Sequence, residues 1–468
     1  MQIREKYIFF TILLSFLISI FISFNFINKF DRLTSDLQRH MMIKDTVRGE
    51  WDKANELIEI KEKNFKNFFY KVDYDKAYLP PRIVALYFSI INEDIKDNNN
   101  LFKLDNNKYY LLVLQSILYC CSIFFLSKVL LNRNENKNIV FFIILFLCFE
   151  PTLNQWHSSF FNESIFFSLQ IIILAMFLKL NKNNIDFFLI GVFSGLLFLQ
   201  KSAGLYYFFI IFLFLLTSKY TEKIKKISLF LISYLIICLF IGYTNFLRSN
   251  NFYLAPLQTK EAIFLYLLPK IYENKYDISF IEAKNKIIDK TKIWIKENKI
   301  KADIQANLFA TSFGSEDDRI KIHEFQQNFT INEMRSNILI TAKILVKKYI
   351  HSLLINPVEL YYHYKYENSD SYYKSDDHKK WVLLRMVYTF LILSISLYGL
   401  FTIVKTKKLN INALFWVVSG IYFYLILGWV GFTRYFSPVL IYLSFFFANG
   451  MNQILFKKKN YETYKRSN

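Results

Sequence analysis

Residues 227–247 read ISLFLISYLIICLFIGYTNFL, an apolar stretch without a single charged side chain. About 20 such residues are enough for a helix to cross the roughly 30 Å hydrocarbon core of a bilayer. Tyr7–Ile27 and Tyr109–Leu131 have a similar length and character. Because the apolar residues come in blocks and not in one-sided stripes, they predict membrane-spanning helices and not the core of a soluble protein.

The rest of the chain repeats this pattern, since 53% of the 468 residues are hydrophobic and 19% are aromatic. We therefore predict an all-α polytopic membrane protein with about ten transmembrane helices. The predicted spans are 7–27, 109–131, 139–156, 158–178, 186–200, 203–218, 227–247, 381–404, 412–430 and 435–456. The first span has no small-residue cleavage site behind it, which predicts a retained signal anchor.

Lysine and arginine fall on alternate loops between these spans, and this distribution sets the predicted orientation. The residues on the basic side are Arg4, Lys6, Arg133, Lys137, Lys179, Lys182, Lys219, Lys223, Lys225, Lys226, Lys405, Lys407, Lys408, Lys457, Lys458, Lys459, Lys465 and Arg466. A positive excess marks cytoplasmic loops. Both termini are thus predicted to be cytoplasmic in a multi-pass protein of the plasma membrane, with Trp156, Trp381 and Trp429 as anchors at outer span ends.

The formal net charge of +20 has the same explanation, because the basic residues concentrate in short loops between spans. We expect no nucleic-acid partner. The four cysteines, Cys120, Cys121, Cys148 and Cys238, all lie in apolar stretches. Their placement argues against a disulfide framework and against a metal cluster.

Two long segments, 28–108 and 248–380, are predicted to lie outside the cell. They divide the chain into an N-terminal membrane module (1–247), an outer region (248–380), and a C-terminal three-helix module with a basic tail (381–468). Phe280–Ile300 and Ile331–Ile355 have helical patterns, and the lysines within the second favour an amphipathic helix on the outer membrane surface.

The first outer loop carries an acid and a histidine near its start. Ser35 and Gln38 form a capping-box pattern, which predicts a helix that begins here. Asp36 would occupy the first turn, and His40 would follow on the same face. Such a pair could act as a general base above the membrane, or it could be an ordinary helix start with solvated charges.

A proline pair follows in Tyr78-Leu79-Pro80-Pro81-Arg82. Tandem prolines fix two φ angles and remove two backbone donors, which predicts a rigid corner before a helix. Arg82 at this corner could hold a phosphate or a carboxylate. A purely structural corner is the alternative.

Further polar residues mark the predicted outer ends of later spans. Glu150-Pro151 and Asn162-Glu163 flank the start of the fourth span, where a carboxylate needs a partner or water. Gly191 and Gly195 are spaced for close helix contact, and Lys201 follows this glycine helix. Taken alone, Lys201 is most simply explained as a membrane-surface anchor.

The last of these positions is the stretch Thr433–Pro438, a predicted outer turn between the final two spans. It contains Arg434 and Tyr435. Arg434 and Lys201 are the basic residues of the short outer loops. Two cations and several carboxylates on one membrane face favour a catalytic site there.

Taken in order, these pieces resemble the integral-membrane glycosyltransferases of the C fold, in particular the protein O-mannosyltransferases and the aminoarabinose and rhizobial core-sugar transferases. The residues that carry the resemblance are Asp36, His40, Tyr78, Pro80, Pro81, Asn162, Glu163, Gly191, Lys201, Arg434, Tyr435 and Pro438. The motifs are short, and their order and common side give the resemblance its weight. Arg82 departs from the family, which usually has a small or apolar residue after the prolines.

The resemblance implies an inverting transfer of a sugar from a polyprenyl-phosphate donor to an acceptor hydroxyl at the outer face. Asp36 would be the general base, while Arg434, Lys201 and Arg82 would meet the charge on the departing lipid phosphate. Glu163 would orient the acceptor or bind a divalent metal ion, since some members of the family use a metal and others do not. The acceptor could be a glycan, a lipid or a protein.

Three other functions remain open from the sequence. A polysaccharide polymerase or ligase of the cell envelope is also polytopic with long outer loops. A lipid or solute transporter would place its ionisable residues near the bilayer midplane, and we find neither that placement nor an internal repeat. A non-catalytic assembly partner could retain the same fold.

Overall fold

The computed structural model describes residues 5–30, 78–90, 106–157, 162–179, 182–218, 220–254, 263–304, 310–313, 315–354, 376–406, 410–430 and 436–466. The helices of the N-terminal part are α1 (Glu5–Phe30), α2 (Leu79–Ile90), α3 (Asn106–Asn132), α4 (Lys137–Phe149), α5 (Pro151–His157), α6 (Asn162–Leu178), α7 (Asn184–Gln200), α8 (Tyr207–Thr217) and α9 (Lys223–Ser249). A single 3₁₀ turn, Ser202–Gly204, joins α7 to α8.

The remaining elements are α10 (Leu268–Tyr276), α11 (Phe280–Glu297), β1 (Ala302–Ile304), β2 (Ala310–Phe313), α12 (Glu316–Ser336), α13 (Ile338–Ser352), α14 (Asp376–Lys405), α15 (Ile411–Gly428) and α16 (Ser437–Arg466). Within the described residues, six helices are long and apolar enough to cross a membrane: α1, α3, α9, α14, α15 and α16. Four shorter apolar helices, α4, α6, α7 and α8, lie between them in the chain. The protein is a polytopic membrane protein, and each of the ten predicted spans overlaps one of these helices.

Helix α6 lies at the centre of the bundle. It packs against α3 and α7, and nearly all of its side chains are buried. A helix that is apolar on every side is stable only when other helices surround it. The long outer helices α1 and α14 instead expose Phe, Leu and Val side chains, as lipid-facing helices do.

Small residues allow the closest helix contacts, as the Gly191–Gly195 spacing predicts. A Cβ atom on Gly191 would overlap Ser233 Oγ and the Phe230 carbonyl oxygen of α9, and one on Gly195 would meet Ile237. Backbones can approach this closely only where no side chain intervenes.

The predicted span 139–156 is interrupted by Glu150-Pro151. Pro151 has no N–H to donate to the carbonyl of Leu147 in the preceding turn, so α4 ends and α5 begins. Side chains satisfy the carbonyls that the break leaves open: Tyr119 donates to Leu147 at 2.9 Å, and Ser15 donates to Cys148 at 2.9 Å. Such compensation is what allows a helix to break at membrane depth.

The segment 263–354 has an apolar core of its own. The buried residues of this core are Phe264, Leu268, Tyr272, Ala283, Ile287, Ile288, Ile295, Ile300, Ile304 and Ile322. Helix α11 matches the predicted helix Phe280–Ile300 and begins with a capping box between Ser279 and Glu282. The second predicted helix, Ile331–Ile355, is instead two helices, because the chain breaks at Asn337 between α12 and α13.

Besides the helices, the segment 263–354 contains one short hairpin, which the sequence did not indicate. Strands β1 and β2 pair as an antiparallel hairpin, with Ala302 opposite Phe313. This short sheet packs against α11 and α12.

Candidate active site at the ends of α6 and α7

Glu163 and Lys201 form an ion pair at adjacent ends of two antiparallel helices. The Lys201 ammonium lies 3.1 Å from Glu163 Oε1. The Glu163 side chain is fully buried, whereas 17% of the Lys201 side chain is exposed. Lys201 also lies 5.6 Å from the centre of the Phe166 ring, one turn after Glu163 on α6. The site thus holds a lysine that is paired with a fully buried carboxylate and whose side chain is still partly exposed.

The local structure explains why these two charges meet. Glu163 is in the first turn of α6, and Lys201 is the residue that ends α7. A carboxylate is stabilised at a helix N-terminus and a cation at a C-terminus, because the peptide dipoles align along the axis. Since the two helices are joined by a short loop at their other ends, their remaining ends lie side by side. The glycine spacing of α7 explains its packing on α9, but it does not predict this ion pair.

The proline corner lies next to these helix ends. Helix α2 begins at Leu79 with Pro80 and Pro81 in its first turn, and it packs against α7. Arg82 is buried, its guanidinium carbon is 3.3 Å from the Tyr78 ring centre, and Nη1 donates to the Tyr78 carbonyl at 2.8 Å. Tyr78 in turn contacts Phe240 of α9 edge-on. Arg82 is therefore held by the corner itself.

Glu150 is a second buried carboxylate, and the contact with Tyr388 was not expected from the sequence. Glu150 Oε2 accepts from the Leu153 backbone N–H at 2.7 Å, which caps the start of α5. Glu150 Oε1 accepts from the Tyr388 hydroxyl of α14 at 3.0 Å. The only sequence signal for this position was the acid before a proline. The contact ties the C-terminal helices to the break between α4 and α5.

Four of the predicted site residues, Asp36, His40, Arg434 and Tyr435, lie outside the described residues. Pro438 is buried in the first turn of α16. The described part of the chain contains no group of three His, Cys, Asp or Glu side chains that could hold a metal ion. Among the predicted positions, the structure thus brings together Glu163 and Lys201, and it places α2 with Arg82 against the same helix.

Helix α13 attaches the segment 263–354 to the end of α15, just before the segment that contains Arg434. Lys348 donates to the Val430 carbonyl at 3.1 Å, and Tyr349 donates to the Leu425 carbonyl at 2.7 Å. Burial, and after it the nearby charge of Lys270, lower the pKa of Lys348 to about 8. No sequence pattern indicated this attachment.

The sequence matches no family model, and no curated protein matches it either. The structure is similar to the archaeal oligosaccharyltransferase AglB from Archaeoglobus fulgidus, solved in complex with an inhibitory peptide and a dolichol-phosphate. The similarity covers 98% of this chain, with 14% sequence identity and a TM-score of 0.46. The chain spans about half of that protein, 52% of its length. A likeness this distant assigns neither a family nor a reaction.

Proposed function

We propose that the protein is a membrane glycosyltransferase that moves a sugar from a polyprenyl-phosphate donor to an acceptor hydroxyl at the outer membrane face. The observation that carries the proposal is the Glu163–Lys201 pair, where a buried carboxylate fixes a partly exposed ammonium at the ends of α6 and α7. A fixed cation at the membrane boundary is what a departing lipid phosphate requires. The proposal places this end of the bundle outside and both termini in the cytoplasm.

The proposed reaction is an inverting displacement at the anomeric carbon. The acceptor oxygen bonds to that carbon while the bond from carbon to the phosphate oxygen breaks. The acceptor proton goes to the Asp36 carboxylate, and the electron pair leaves with the lipid phosphate. Lys201 and Arg434 would stabilise the charge that develops on this phosphate, with Arg82 of α2 as a further candidate.

The remaining predicted residues have supporting roles in this proposal. His40 follows Asp36 by four residues in the sequence and would keep its carboxylate ionised. Tyr78 with Pro80 and Pro81 orients α2, and Tyr435 adjoins Arg434. Glu163 positions the Lys201 ammonium, and it could bind a divalent metal ion together with residues of the outer loops. We also propose that the chain is divided into the three parts given above, with boundaries after residues 247 and 380.

Purified protein in nanodiscs should transfer a radiolabelled hexose from polyprenyl phosphate to an acceptor fraction from the native envelope. We expect Asp36→Asn to reduce the transfer rate by about 10²–10⁴-fold, as the loss of one general base does. Arg434→Ala should weaken the use of the donor more than the use of the acceptor. Each variant should elute as the wild-type protein does in size-exclusion chromatography.

Three results would contradict the proposal or a part of it. Transfer from a nucleotide sugar without any lipid carrier would show that the enzyme does not belong to the class that uses lipid-linked donors. Transfer only of oligosaccharides from a diphosphate-linked lipid would favour the polymerase or ligase function. Unchanged rates in Asp36→Asn would remove this residue from the mechanism.

A further inference from the structure

A second group of charged side chains lies at the opposite end of α6 and α7. Here α3, α6 and α8 end, while α7 and α9 begin. The cations of the group, which we call the basic cluster, are Arg133, Lys179, Lys182 and Lys226. None of these residues has a part in the proposed transfer reaction, because the helices separate them from Glu163 and Lys201.

Tyr220 holds two of these cations together. The Lys182 and Lys226 ammonium groups lie 5.5 Å and 5.8 Å from the centre of its ring. The Tyr220 ring itself packs edge-on against Phe187, with ring centres 5.1 Å apart. Cations over aromatic faces keep a full positive charge, so the ring orders them without neutralising them.

The acids of the group do not balance its cations. Asp186 pairs with Lys179 at 2.7 Å, and its other oxygen caps the start of α7 by accepting from the Asn183 backbone. Glu135 lies 3.8 Å from Arg133 Nε. Four cations thus face two carboxylates, and both carboxylates are already engaged. The site has an excess of positive charge.

Lys182 is the cation of the basic cluster whose positive charge is least compensated by carboxylates. The half-buried ammonium donates to the Lys179 carbonyl at 2.7 Å and to the Tyr220 hydroxyl at 3.3 Å, and both acceptors are neutral. Among the described residues, no carboxylate lies within ion-pairing distance of it. Burial and then the charge of Arg133 lower the pKa of Lys182 to about 8, and Asp186 offsets this only in part. A half-buried cation in such surroundings is stabilised by an added anion.

The surface beside the basic cluster is apolar and open. Ile185 at the start of α7 is 65% exposed, and Ile224 at the start of α9 is 84% exposed. In a membrane protein such side chains contact acyl chains, so the basic cluster lies where lipid headgroups meet the protein. Basic pockets between helix ends on the cytoplasmic side suit anionic headgroups.

We propose that the basic cluster is a binding site for a phosphate anion, presented by an anionic phospholipid of the leaflet opposite the candidate active site. Lys182 and Lys226 would contact the phosphate oxygens over the edge of Tyr220. Arg133 is held in place by its Nη1 bond to the Leu178 carbonyl, 2.7 Å long, and adds charge from the side of α3. The acyl chains would lie along Ile185 and Ile224.

Native mass spectrometry of the full chain in detergent tests this site. With added phosphatidylglycerol, the wild-type protein should retain the lipid, whereas phosphatidylcholine should bind weakly. The Lys182→Gln/Lys226→Gln variant should lose affinity for phosphatidylglycerol roughly thirtyfold, since each lysine near an anionic headgroup contributes about fivefold. Lys182→Arg/Lys226→Arg should bind as the wild-type protein does, which separates loss of charge from loss of fold.

Lys137→Gln is the matched control. Lys137 lies at the same membrane face, but it pairs with Glu5 at 3.1 Å and is not part of the basic cluster. Equal losses in the control and in the double variant would overturn the proposal, as would unchanged binding in the double variant. A parallel titration with inorganic phosphate distinguishes the source of the anion. If inorganic phosphate binds and displaces the lipid, the phosphate comes from solution and the assignment to a lipid is wrong.

Discussion

At the residue scale, the Glu163–Lys201 pair differs from the other ion pairs of the protein in its burial. Most described pairs lie on exposed surfaces, where solvent and salt weaken them. Removal of one member of a buried pair leaves the other charge without its partner, and that cost exceeds the loss of the attraction itself. The effects of substitutions at Glu163 and Lys201 on the free energy of unfolding should therefore be strongly coupled.

We expect a double-mutant cycle on Glu163→Gln and Lys201→Met to give a coupling free energy of about 0.5–3 kcal/mol. The measurement is the thermal or denaturant unfolding of the purified protein in detergent. Asp376 and Lys379 provide the control, since their side chains are 83% and 78% exposed and their atoms are also 3.1 Å apart. Their cycle should give less than about 1 kcal/mol. Equal coupling in both cycles would mean that burial does not distinguish the first pair.

The sequence predicted the two members of this pair but not their contact. Glu163 and Lys201 were each recognised as charged residues at a span end, where a polar group needs an explanation. Their separation of 38 residues carries no periodic signal. The same holds for Tyr388 and Glu150, which are 238 residues apart. Contacts of this kind depend on how the helices pack. That packing cannot be inferred from the residue pattern of a single sequence.

At the element scale, the six long helices were predictable as candidate spans because length and hydrophobicity alone indicate them. The break between α4 and α5 was not predicted as a break, although Pro151 marks it, since neighbouring side chains can compensate for a proline within the membrane. The hairpin of β1 and β2 was missed for a different reason. Its strands have three and four residues, too few for an alternating pattern to show.

The contact between α7 and α9 leads to a prediction about glycine. Gly191→Ala places a methyl group against Ser233 Oγ and the Phe230 carbonyl, and a backbone carbonyl cannot move away easily. We expect a loss of stability of about 1–3 kcal/mol, typical of an overpacked contact. Thermal unfolding in detergent measures it.

Gly420→Ala is the control for that substitution. A Cβ atom there would meet only Tyr442 Cβ, at 3.3 Å. Because alanine favours a helix over glycine by up to about 1 kcal/mol, this variant should be near neutral. Similar losses at both positions would show that the effect of Gly191→Ala does not come from overlap at the α7–α9 contact.

At the scale of the whole molecule, the orientation in the membrane is the prediction that most needs a direct measurement. Cysteines introduced at Asn99 and Ser315 should react with an impermeant thiol reagent on intact cells. Ser315 is exposed at the start of α12, whereas Asn99 lies outside the described residues. Lys225→Cys, exposed at the basic end of α9, should react only after lysis. The wild-type protein gives the background of the native cysteines, and a reversed pattern would invert the topology.

The shortness of the central helices bears on how deep the candidate active site lies. Helices α6 and α7 have 17 residues each, which is about 25 Å at 1.5 Å per residue. The hydrocarbon layer around the protein is roughly 30 Å thick. With their basic ends level with one boundary of that layer, Glu163 and Lys201 lie several ångströms short of the other. A lipid headgroup that reaches Lys201 has to sink by that distance, or the bilayer has to thin around this part of the bundle. The hydrophobic mismatch is thus built into the interior of the protein, and under the proposed function the thickness of the membrane would affect how easily the lipid donor reaches Lys201.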